Sequence, residues 1–160
     1  DNKVVEYDSP TNVPAQSKAS IAAKPSEVQF KSKGIQTIYS AYEQLRNALV
    51  ATDYETAQKY AKSLANALKS EESTVQQASL AQSIIEATEI ELARAAFSKL
   101  NQSMEAVFEG AIASGELNKC FCPMALENTG AFWFSTSKEI LNPYFGDKML
   151  KCGTVQKTYK

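Results

Sequence analysis

Sulfur crowds the C-terminal part of this chain, where Cys120, Cys122, Met124, Met149 and Cys152 lie within a short stretch. Cys122-Pro123-Met124 sets two sulfurs at alternate positions, and Met149-Leu150-Lys151-Cys152 separates two by about one helical turn. Thiolate and thioether are soft donors, so this set, without imidazole or a neighbouring carboxylate, favours Cu(I) over magnesium, calcium or manganese. Zinc would want four thiolates or added His or Asp, and the chain has 3 cysteines and no histidine. The missing histidine also removes the usual general base of a Ser or Cys nucleophile, which excludes His-dependent triads, His-rich zinc sites and Glu-x-x-His di-iron centres.

A second chemistry competes for the same atoms. Cys122 and Cys152 can instead form a disulfide that staples the segment between them, worth about 3–4 kcal/mol for a loop of roughly 30 residues in an oxidising compartment. Cys120 is then left over. A thiol oxidoreductase would need a pair such as Cys-x-x-Cys, whereas Cys120-Phe121-Cys122 is Cys-x-Cys and no βαβ pattern surrounds it. No carboxylate pair stands out as acid and base, and no Gly-rich phosphate loop is present, so the sequence predicts a binding module rather than an enzyme. Phe132, Trp133, Phe134, Tyr144 and Phe145 are expected to be core, since aromatic rings bury the most surface.

The elements that must position these residues follow from periodicity. Residues 1–30 carry three prolines among polar residues with no apolar period, and are expected to be a flexible tether ahead of a folded domain over 31–160. Ile35, Ile38, Tyr39, Tyr42, Leu45 and Leu49 line one helix face to about Ala51, and Asp53 caps a second helix carrying Tyr54, Ala57, Ala61, Leu64 and Leu68. Ser73 with Gln76 and Thr88 with Glu91 have the form of capping boxes, predicting a short helix over about 74–87 and a long one from Ile90 towards Gly115. The short joints favour an all-α, antiparallel bundle of three to four helices. Over 115–153 the helical period stops. There the sequence predicts an irregular Cys/Met/aromatic cap of short strands or turns, with an extended segment over 130–135 and a turn at Asn142-Pro143-Tyr144-Phe145-Gly146.

Composition narrows the partners. At 160 residues there is room for one domain and a tail, and 44% hydrophobic with 22% charged residues is that of a folded protein. Seventeen basic against 18 acidic residues lack the basic footprint of a nucleic-acid binder. No run of 18 apolar residues is present to span a membrane. A start at Asp1 suits an exported chain whose leader, with a lipid anchor, lay upstream.

The strings Cys122-Pro123-Met124-Ala125, Gly130-Ala131-Phe132-Trp133 and Ile140 through Gly153, with its Asn-Pro-Tyr-Phe-Gly and Met-Leu-Lys-Cys-Gly, resemble domain-of-unknown-function family 3347. Ala41-Tyr42, Leu45 and Ala48-Leu49 resemble that family's first helix, and Ala93-Arg94, Phe97 and Leu100 a later one, so the likeness covers roughly 35–155. The family contains exported bacterial proteins and C-terminal extensions of the periplasmic adaptors of heavy-metal efflux systems. The resemblance therefore implies a periplasmic or cell-envelope protein that binds Cu(I) or Ag(I) through Cys122, Met124, Met149 and Cys152. It would buffer the ion or pass it to an efflux adaptor or another envelope protein. Cys120 is extra to the family pattern, either as a further ligand or as an incidental thiol. The rival expectation is a disulfide-stabilised structural or protein-interaction domain with no metal role.

Overall fold

The computed structural model describes residues 28–160. Most of the tether expected over 1–30 lies outside the described residues, but its last three residues do not behave as a tether. Val28 and Phe30 are buried, and strand β1 (Gln29–Phe30) pairs antiparallel with β2 (Ile112–Ser114).

Helix α1 (Lys33–Val50) begins at Ser32, whose Oγ accepts from the Ile35 amide at 3.0 Å, satisfying a donor that the first turn would otherwise leave free. Its predicted stripe of Ile35, Ile38, Tyr39, Tyr42, Leu45 and Leu49 is buried. Asp53 caps α2 (Tyr54–Lys69) as expected, Oδ1 accepting from the Thr56 amide at 3.1 Å, and Ala57, Ala61, Leu64 and Leu68 face inward. A 3₁₀ segment (Glu72–Gln77) leads into α3 (Ala78–Glu86), and α4 (Ile90–Phe108) follows. Each of these helices packs on the next in the chain, and α1 also touches α4.

Neither expected capping box forms. Ser73 lies inside the 3₁₀ segment, where the neighbouring Thr74 hydroxyl donates instead to the Leu68 carbonyl at 2.8 Å and ties the end of α2 to the next turn. Helix α4 starts after Glu89 rather than Thr88, with no side-chain cap. It also ends at Phe108 instead of running towards Gly115, because Gly110 takes a left-handed φ of 81° and turns the chain into β2.

The chain is mostly helical, with two small antiparallel sheets; beyond residue 115 it is more regular than an irregular cap. Strands β3 (Leu117–Cys122), β4 (Ala131–Ser135) and β5 (Thr154–Tyr159) form a three-stranded antiparallel sheet in the order β4-β3-β5. Cys120 lies opposite Trp133 on one side and Val155 on the other. Phe134 reaches the helices: its ring lies 5.4 Å from Phe108 and 6.3 Å from Tyr42, centroid to centroid. A buried polar chain locks this junction. The Tyr42 hydroxyl accepts from the Phe134 amide (2.9 Å) and donates to Asn101 Oδ1 (2.5 Å), while Asn101 Nδ2 donates to the Tyr144 hydroxyl (3.0 Å). Tyr144 in turn donates to the Phe132 carbonyl at 2.6 Å. Each side-chain polar atom of Tyr42, Asn101 and Tyr144 is paired, which makes this network stabilising rather than costly.

Candidate functional site

Successive side chains on a strand point to opposite faces, so Asn118, Cys120 and Cys122 share one face of β3, and Lys119 and Phe121 the other. Cys122 ends the strand. The chain then turns through Pro123 and Met124 into Ala125–Asn128, where Leu126, Glu127 and Asn128 take left-handed φ of 55°, 58° and 66°. Three such residues in succession cost about 1–2 kcal/mol each for L-amino acids. Hydrogen bonds from Asn128 N to the Met124 carbonyl (3.2 Å) and from Gly130 N to the Ala125 carbonyl (2.9 Å) hold the turn in place.

The second sulfur segment is pinned by Asn142. This buried side chain accepts from the Tyr144 and Phe145 amides at 2.7 and 3.1 Å, making the predicted turn, and donates to the Cys152 carbonyl at 2.8 Å. Cys152 N closes a tight turn onto the Met149 carbonyl at 3.1 Å. Arg94 secures the same loop from α4, its Nε donating to the Pro143 carbonyl and its Nη2 to the Leu49 carbonyl, both at 2.8 Å.

These anchors bring Cys122 and Cys152 together as a disulfide, with Cα atoms 5.7 Å apart across a separation of 30 residues. In this form neither sulfur is a thiolate, so the four-sulfur ligand set expected from the sequence is not assembled. Cys120 stands apart as a buried free thiol. Burial pushes its pKa up to about 11, with Arg46 pulling weakly the other way, so it stays protonated at neutral pH and is a poor nucleophile or ligand.

Met124 and Met149 behave differently from the cysteines. They are among the few large apolar side chains left exposed, at 45% and 36%, and both line one cleft together with Leu126, Phe145 and Arg94. The disulfide thus does what sequence spacing could not show: it ties the two Met-bearing turns together at one opening. Among the described residues no group of three or more His, Cys, Asp or Glu side chains is placed to hold a metal ion. Two thioethers match Cu(I) or Ag(I) in softness and suit no hard divalent ion, so the residues fit the implied group through Met124 and Met149 alone while the disulfide stands.

The sequence reading missed Arg46. It is buried on α1, with Nη1 donating to the Phe134 carbonyl at 2.8 Å and Nη2 to Asn47 Oδ1 at 2.9 Å. The signal was present, since Arg46 falls seven residues after Tyr39, in phase with the apolar stripe. With Asn47, Trp133 and Ser135 it lines a second cavity, away from the methionines.

No curated protein and no solved structure matches the chain. A family model does match, over residues 38–115, spanning most of α1 through to the end of β2 and stopping before β3 and the sulfur-bearing segment. The family that the sequence resembles is the one found: residues 38–115 match the model of the family described as Protein of unknown function (DUF3347).

Proposed function

We propose that this protein is a non-catalytic binding module of the cell envelope that takes up a soft monovalent ion, Cu(I) or Ag(I), through the thioethers of Met124 and Met149. The observation that carries this reading is that the two methionines, distant in sequence, are exposed and line one cleft. In an oxidising compartment a thioether keeps its ligand character while thiols pair off, and here the Cys122–Cys152 bond takes the part of the staple. When bound, the ion would supply no chemistry beyond its own presence, and the chain's task is to hold it reversibly. Thioethers are neutral donors that release an ion more readily than thiolates do. That suits a periplasmic buffer, or a donor to an efflux adaptor, better than a permanent store.

A second reading is favoured by the disulfide itself. Because the bond consumes both cysteines of the motif, the domain would be a stapled structural or protein-interaction unit of the envelope with no metal role.

A competition titration with a chromophoric cuprous chelator, run on the oxidised full chain without oxygen, separates the two. The metal reading expects one equivalent of Cu(I) withheld from the chelator. Replacing Met124 and Met149 by Leu together should weaken binding by at least about tenfold, a difference of ~1.4 kcal/mol. Oxidised protein that fails to compete sinks the metal reading and leaves the staple.

A further inference from the structure

The second cavity, of about 460 Å³, falls in the size range of small-molecule pockets, roughly 300–1,000 Å³. It opens between α1 and the segment that follows β4, and its walls are unusually rich in donors. Arg46 carries five N–H groups. Its Nε and one Nη2 hydrogen serve Asn47 Oδ1, and Nη1 serves the Phe134 carbonyl and, at 3.5 Å, the Tyr39 hydroxyl. The second Nη2 hydrogen has only Glu43 near it, at 3.9 Å, beyond hydrogen-bond reach. Asn47 spends its oxygen on Arg46, and its own Nδ2 is buried with no partner. A buried donor left unpaired costs about 1–3 kcal/mol, so native structures leave few of them.

The loop across the cavity adds to this. Ser135 and Ser137 line it, and their oxygens accept from the Ser137 and Glu139 amides at 3.1 and 3.0 Å. Neither hydroxyl donates to a protein group among the described residues. The acids at the rim are spoken for: Glu116 pairs with Lys160 at 3.6 Å and Glu139 with Lys151 at 2.7 Å. Glu43, which burial pushes up from its ordinary range while Arg46 pulls the other way, lies beside the guanidinium it faces. Lys138, on the lining, pairs with no carboxylate among the described residues and adds a second cation to Arg46.

We propose that this cavity is a binding site for a carboxylate group, received by the spare N–H of Arg46, the unpartnered amide of Asn47 and the hydroxyls of Ser135 and Ser137. The carboxylate would belong to a small free acid or to the C-terminal end of a peptide. A spare guanidinium N–H beside an unpaired amide N–H is matched best by an acceptor-only anion. The site is independent of the methionine cleft, and its failure would leave the metal reading untouched.

The test is a titration of the ¹⁵N-labelled full chain, followed by NMR, with succinate and with diglycine, each beside its amide. Saturable shifts of the Asn47 side-chain NH₂ and of the amides over 135–139, seen with an acid and absent with its amide, are expected. Succinate acting alone assigns the site to free acids, and diglycine alone to peptide ends. Asn47→Asp keeps the acceptor for Arg46 and replaces the unpaired donor by an anion, so it should fold and bind at least about tenfold more weakly. Lys138→Gln, at an exposed position, should cost about threefold. Equal shifts with acid and amide, no saturation well above about 1 mM, or unchanged binding in a folded Asn47→Asp protein would each overturn the proposal.

Discussion

Glu105 shows how single side chains join the helices to the sheet. From α4 its carboxylate accepts from Lys119 Nζ of β3 at 3.1 Å and from the Tyr159 hydroxyl of β5. The Tyr159 hydrogen bond, with Lys119 adding to it, holds the Glu105 carboxyl below its ordinary value of 4.5. A carboxyl whose folded pKa is depressed lends stability that is complete above the unfolded value and is lost as pH falls through the folded one. Glu105→Gln should therefore lower the urea midpoint at neutral pH, and the gap to the parent should close as pH falls below 4.5 and through the lowered folded value. A gap that persists in acid would mean that packing, not charge, holds the junction. At this scale the sulfur atoms were legible as chemistry and illegible as partners. Cys122, Met124, Met149 and Cys152 stand out by type and spacing, but whether two thiols pair or two thioethers share a cleft depends on turns fixed by Asn142 and Arg94, far from them in the chain.

Among the elements, the segment from β3 to Cys152 depends most on a single bond. In the chain-entropy model, closing this loop stabilises the fold by about 3–4 kcal/mol. Reduction should then lower the melting temperature by about 10 °C for a domain of this size, measured by circular dichroism with and without a thiol reductant. A shift within a degree or two would show that hydrogen bonds and aromatic packing hold the segment without help. Helices α1 and α2 could be read from the sequence because one face of each is apolar and the other wet. Strand β3 could not, because both of its faces are covered and its polar residues are satisfied at a distance. Asn118 accepts from the Thr158 hydroxyl at 2.8 Å and Lys119 pairs with Glu105, so no clean alternation marks the strand. The capping box expected at Ser73 gave way to another local bond, the one the Thr74 hydroxyl makes back to the Leu68 carbonyl.

For the whole molecule, the helices carry most of the family match, and the three-stranded sheet and its connecting loops carry the sulfur-bearing residues. The two openings differ in character. One presents soft thioethers beside a disulfide, and the other presents buried nitrogen donors. No helix among the described residues is long and apolar enough to cross a membrane, and a formal charge of −1 sets up no strong long-range field. The methionine methyl groups offer the most direct test. The chain has 3 methionines, and Met104, fully buried, serves as an internal control. With the protein kept oxidised and its methionine methyls labelled with ¹³C, stepwise addition of Ag(I), which does not cycle between redox states under these conditions, should move the Met124 and Met149 methyl signals together. They should saturate at one equivalent while Met104 stays still. Silent signals from Met124 and Met149, or shifts that grow without saturation on only one of them, would contradict the account.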